Sequence, residues 1–138
     1  SAIGLATALK ITRDNLETNR EKVTKIRNLF IDRILSEVDK TSLNGDRVNR
    51  LSGNANITFD GISGEALLYK LDLNGVCASL GAACSAGTIE PSYVLKSIGL
   101  SDTEARSTIR FSIGENNTEE EINETVEIIK KSINELRK

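Results

Sequence analysis

The sequence contains no histidine, no methionine and no tryptophan, a single proline, and two cysteines in 138 residues. Lacking imidazole, the chain cannot build a Ser-His or Cys-His nucleophile pair, or a histidine metal site, from its own residues. Lacking methionine, it is expected to begin at a processed end or at a cut within a longer protein. Cys77 and Cys84 are too few for a disulfide framework and are not spaced as Cys-x-x-Cys. That argues against structural zinc and thioredoxin-like chemistry and leaves a thiol acting singly. No apolar run approaches the roughly 20 residues of a membrane-spanning helix, and the amino terminus lacks the basic-then-apolar order of a signal peptide. A cytoplasmic protein with no membrane partner is expected. The 20 acidic and 18 basic side chains form no large blocks, so no nucleic-acid partner is expected either.

What is present reads as one domain, residues 1–138. With 38% hydrophobic and 28% charged residues, the chain has enough apolar material for one core and enough charge for a solvated surface. "SAIGLATALKI" is apolar almost all round, as a buried helix or a helix meeting another domain would be. Val23, Ile26, Phe30, Ile34 and Val38 then recur at spacings of three and four, which predicts a helix with one inward face. A short strand is expected near Thr41 to Leu43. "SLNGDRVNRLSGN" (42–54) is rich in residues that compete for backbone hydrogen bonds, so helix ends before it. "NITFD" (56–60) alternates as a half-buried strand, Asp60-Gly61 turns the chain, and a helix from Gly64 to Leu71 closes at Asn74-Gly75.

"GVCAS" (75–79) predicts a further strand, with Cys77 inside it as a small hydrophobe. Pro91 suits the first turn of a short helix and Gly99 its stop. "SDTE" (101–104) and "TEEE" (118–121) carry the spacing of capping boxes, "STIRFSI" alternates as a strand, and Ile122, Val126, Ile129, Ile133 and Leu136 line a last amphipathic helix. Strands without regular crossover helices, beside long helices at both ends, give the fold class α+β: a small antiparallel sheet packed against long helices.

The stretch "SLGAACSAGTIEPS" (79–92) holds the candidate chemistry. Gly81 and Gly87 flank Ala82, Ala83, Cys84, Ser85 and Ala86, all too small to anchor the segment, so a mobile loop over about 79–90 is expected. The alternative for Cys84 is that of any free cysteine, a small buried hydrophobe. Arg110, on the polar side of "STIRFSI", reads from the residues alone as an exposed strand residue in a surface ion pair.

"GISGEALLYKLDLNGVCASLGAACSAGTIEPSYVLKSIGL", followed by "RSTIRFSIG" and preceded by "LSGNANI", resembles the carboxy-terminal small domain of NifS/IscS-like cysteine desulfurases, within the class V aminotransferases. The resemblance implies the small domain of a fold-type I pyridoxal-phosphate enzyme. It also implies that Cys84 is the nucleophile that takes sulfur from L-cysteine as a persulfide, leaving L-alanine, and that Arg110 holds the substrate α-carboxylate. Pyridoxal phosphate would be the cofactor of the full-length enzyme, as an electron sink. Its binding residues would lie outside this chain, so no cofactor is expected on the fragment and the fragment alone should be inactive. Implied partners are a sulfur-acceptor or iron-sulfur scaffold protein and a second copy of the enzyme. No resident metal is implied, although the loop cysteine of some relatives also ligates a cluster iron in a scaffold complex. Two other readings stay open: a non-catalytic docking module for a scaffold or dimer partner, and a Cys77/Cys84 redox pair closing a short loop.

Overall fold

A computed structural model describes residues 1–80 and 91–138. The element order is α1 (Ala2–Asp14), α2 (Leu16–Glu37), β1 (Thr41–Leu43), β2 (Asn54–Phe59), α3 (Gly64–Leu73), β3 (Ser79–Leu80), α4 (Tyr93–Ser97), α5 (Asp102–Arg106), β4 (Thr108–Ser112) and α6 (Glu119–Leu136). The four strands form one antiparallel sheet in the order β1-β2-β4-β3, with the long helices α2, α3 and α6 packed together. This is the α+β architecture that the sequence pattern predicts.

Strand alternation divides the sheet into two unlike faces. Ala55, Ile57 and Phe59 of β2 stand opposite or beside Ile109 and Phe111 of β4, all buried, and join Phe30, Ile34, Leu67, Val126 and Ile129 in the core. Phe111 meets Phe30 edge-on with ring centroids 4.9 Å apart. The opposite face carries Asn54, Asn56 and Thr58 against Ser112, Arg110 and Thr108. Core and polar face thus come from the same strands by parity alone.

The predictions for α2, for the capping boxes of α5 and α6 and for the two glycine stops hold. Val23, Ile26, Phe30 and Ile34 of α2, with Val38 at its end, are all buried. Both capping boxes form, Ser101 with Glu104 and Thr118 with Glu121, each satisfying donors that a helix start leaves open. Gly75 and Gly99 end α3 and α4 at positive φ, 78° and 99°. In each case the following residue reaches back to the helix, Val76 N–H to Leu71 O and Leu100 N–H to Leu95 O, as in a Schellman cap.

Three expectations are corrected. The "GVCAS" strand is reduced to its last residue, since β3 begins at Ser79. Val76 spends its N–H on the α3 cap at 2.9 Å instead of on a ladder, and Cys77, next in line, is exposed. Second, Ser79 and Leu80, the first two residues of the loop expected over about 79–90, belong to the sheet, and residues 81–90 lie outside the described residues. Third, Pro91 stands ahead of α4 and not in its first turn: Ser92 is the N-cap and Tyr93 the first helical residue. The apolar α1 has no buried residue, with Ile3 81% exposed, so of the two alternatives for "SAIGLATALKI" the buried helix is not what is found.

Candidate functional site

The polar face of the sheet is built around β4. Arg110 lies partly buried at its middle, with Asn56 of β2 across one side and Ser79 of β3 across the other. Its ladder neighbours on the core side, Ile109 and Phe111, are buried, which fixes the backbone and sends the guanidinium to the other face. Among the described residues no carboxylate pairs with it, so the surface ion pair considered from the sequence is not formed with any of them. An arginine on a rigid strand, with its fork free of such a partner, is suited to grip a carboxylate in two-point fashion.

Beside Arg110 the face is ordered by a run of hydrogen bonds that sequence reasoning did not anticipate. Asn44, just after β1, donates from Nδ2 to Asn56 Oδ1 at 2.8 Å and to Thr58 Oγ1 at 2.9 Å. Thr58 and Thr108 join through their hydroxyls at 2.8 Å, and Thr108 Oγ1 donates to the Glu104 carbonyl at 2.7 Å. Ser107 Oγ donates to the Ile62 carbonyl at 2.7 Å. The Ser101 hydroxyl and N–H, bonded to Glu104, hold its carboxylate below the usual range, so the cap of α5 stays intact near neutrality. The signal for this network was the polar parity of "NANIT" and "STIRFS", read for the core and not followed to the other side.

Cys84 lies within residues 81–90, outside the described residues, as does the loop predicted around it. What is described is the strand that leads there, Ser79–Leu80, in register with Arg110 and Ile109. Cys77, four residues before Gly81, is exposed and lines two surface cavities, of about 440 Å³ and about 430 Å³. Among the described residues, no cluster of three or more His, Cys, Asp or Glu is placed to hold a metal ion, and no helix is long and apolar enough to cross a membrane.

A model of the family described as aminotransferase class-V matches residues 1–125. The chain belongs to this family. Over its whole length it is 39% identical to an IscS-like cysteine desulfurase of Mycobacterium tuberculosis, of which it covers 35%. Over 98% of its length it is 39% identical to the cysteine desulfurase IscS of Clostridium botulinum, covering 34%. The chain therefore spans about a third of the length of the curated relatives it matches. Among solved structures it resembles a NifS-like protein from Rickettsia africae, with a TM-score of 0.79, 27% identity, 95% of this chain and 33% of the other covered. A second NifS-like protein superposes with a TM-score of 0.83 at 22% identity, a likeness of fold.

Class-V aminotransferases are pyridoxal-phosphate enzymes, and the described residues can be tested against that group. It needs a lysine for its aldehyde, and flat or aromatic support for its ring. The chain has no histidine, and the three cavities described above and below have no lysine in their walls. Lys25, Lys70, Lys96 and Lys130 are each drawn to a surface carboxylate. These residues do not by themselves form a pyridoxal site.

Proposed function

We propose that this chain is the small domain of a cysteine desulfurase, supplying Cys84 as the sulfur-accepting nucleophile and Arg110 as the anchor of the substrate α-carboxylate. The observation that carries the reading is one rung of the sheet. Ser79 stands opposite Arg110, and Cys84 follows five residues later in the sequence. Four residues beyond Leu80, the Cys84 backbone stays within roughly 14 Å of that strand end whatever its path. A thiol on so short a lead can meet a substrate whose carboxylate is held on Arg110. The 39% identity to enzymes named cysteine desulfurase supports the reaction class.

The chemistry asked of this chain is small. The Cys84 thiolate bonds to the sulfur of L-cysteine, the carbon–sulfur bond breaks with its electron pair left on carbon, and a proton there completes L-alanine. Cys84 keeps the sulfur as a persulfide for an acceptor thiol or an iron-sulfur scaffold protein. The cofactor belongs to the remainder of the enzyme, so the 138-residue chain alone is inactive on this reading, and the enzyme works in the cytoplasm as a homodimer.

The test is mass spectrometry of the whole enzyme after incubation with L-cysteine. One added sulfur atom on the peptide containing Cys84, lost in Cys84→Ser together with alanine formation, is the expected result. Persulfide on Cys77 instead, or alanine formation unchanged in Cys84→Ser, would overturn the assignment. Loss of two hydrogens across both cysteines without substrate would favour the redox pair.

A further inference from the structure

Three arginines gather where the β1–β2 connection packs on α2. Arg27, on α2, is 3% exposed; its Nη1 donates to the Leu51 carbonyl at 2.9 Å, and its Nε and Nη2 both go to Asn28 Oδ1. Arg50 donates from Nη2 to the Asn44 carbonyl at 2.6 Å, and Arg47 from Nη2 to Asp32. Left over are Arg47 Nη1 and Arg50 Nε and Nη1, all buried and without an acceptor among the described residues. A buried donor without a partner is uncommon in a folded protein and asks for an explanation.

Charge sharpens the anomaly. Among the described residues one carboxylate, Asp32, is paired within this group of three cations, while Asp46 spends Oδ1 on the N–H groups of Val48 and Asn49 and Glu115, across the neighbouring cavity, accepts from Asn19. Burial and then the neighbouring guanidinium groups push the Arg27 pKa down, and burial followed by Arg47 does the same to Arg50, with Asp46 opposing in part. Water could fill the open donors but would leave the repulsion. An anion would relieve both. Arg50 also lines a cavity of about 450 Å³, shared with Arg20, Asn19, Leu51 and the acid Glu115, beside the cluster, and the Arg47 side chain is 39% exposed, so small solutes reach the edge of the group while its open donors lie beneath the surface.

We propose that Arg47 and Arg50, backed by Arg27, form an oxyanion-binding site, for a carboxylate or a phosphate, separate from Arg110 and its face of the sheet. Guanidinium forks match both ligands in two-point geometry. The ligand is either a free phosphate or a carboxylate presented by an acidic side chain of another protein.

The protein, labelled with ¹⁵N and observed at the arginine Nε–H resonances, is titrated with inorganic phosphate and separately with N-acetyl-aspartate amide, ionic strength being held constant with sodium chloride. A saturable shift of the Arg50 signal with phosphate only assigns a free phosphate. One with the capped aspartate assigns a protein-borne carboxylate. Arg50→Gln should weaken binding by about 10- to 100-fold, as loss of a charge-assisted hydrogen bond does. Asp32→Asn, on the exposed side of α2, should tighten it, because it removes the competing carboxylate. That variant decides the matter if Arg50→Gln fails to fold. No saturable shift with either probe, or shifts unchanged in Asp32→Asn, would overturn the proposal.

Discussion

The hydroxyls of Thr58 and Thr108 meet at 2.8 Å across the central strand pair, and the direction of that bond is fixed by its neighbours. Thr108 has one hydroxyl proton and gives it to the Glu104 carbonyl, so Thr58 is the donor to Thr108 and the acceptor from Asn44. The run Asn44 → Thr58 → Thr108 → Glu104 ties β1, β2, β4 and α5 together behind Arg110. Replacing Thr108 with Val strands the buried Thr58 proton and takes one of two hydrogen bonds from the Glu104 carbonyl, which keeps the Ser107 N–H at 3.1 Å. We expect a loss of about 1–3 kcal/mol in chemical denaturation. The Thr58→Val, Thr108→Val double variant should cost less than the two single changes summed, because it removes the pair and leaves fewer orphans.

Gly64, in the "GEALL" motif, starts α3 where a Cβ would lie 2.4 Å from the Arg106 carbonyl oxygen and 2.8 Å from Leu80 Cδ2. Backbone cannot retreat cheaply from such a contact. Gly64→Ala should therefore destabilise by about 1–3 kcal/mol, the range of overpacking, whereas Gly4→Ala, with open space around it, should be neutral or mildly stabilising. Equal melting temperatures for the two variants would contradict this. Gly53 repeats the case, its Cβ position 2.1 Å from the Ile113 carbonyl oxygen.

Glu37 is gripped by Arg33 through two hydrogen bonds, at 2.5 Å and 2.9 Å, and by Lys130 of α6 at 2.9 Å. Arg33 first and then Lys130 lower its pKa from 4.5 to about 2. The folded state thus holds the charged form more strongly than the unfolded chain does. The stabilisation is complete above pH 4.5 and is lost as pH falls from there to about 2. Glu37→Gln should flatten the acid limb of stability against pH in that window, read as the urea midpoint at successive pH values, while leaving the slope above pH 5 unchanged.

If Arg110 anchors the substrate carboxylate, Arg110→Lys in the whole enzyme keeps the charge but loses the fork. We expect kcat/KM for L-cysteine to fall by about 10-fold or more, with most of the change in KM, and Arg110→Ala to fall further. Unchanged KM in Arg110→Ala would remove the residue from the site. Folding should be little affected, since its side chain is not part of the core.

The architecture was legible because its elements carry strong local instructions. A four-three stripe writes α2 and α6, reciprocal Ser/Thr and Glu write the starts of α5 and α6, and glycine at positive φ writes two helix stops. The "GVCAS" segment misled because apolar residues there serve the end of α3: Val76 covers its last turn and caps it, a role that periodicity does not distinguish from a strand. Arg110 could be placed on a strand from alternation. Its neighbours could not, since Asn44 and Asn56 come together only through the register of β1 and β2. The arginine cluster was equally hidden, its members being spread over α2 and a loop that reads simply as polar.

The single rung shared by Ser79 and Arg110 has a mechanical corollary. If Cys84 carries the sulfur and Arg110 holds the substrate carboxylate, the strand that leads to the one is paired directly with the strand that bears the other, so any tilt of the domain moves Ser79 and Arg110 by the same amount. The separation of Ser79 and Arg110 is built into backbone pairing, and on that reading the anchor and the start of the lead to the thiol need no separate adjustment.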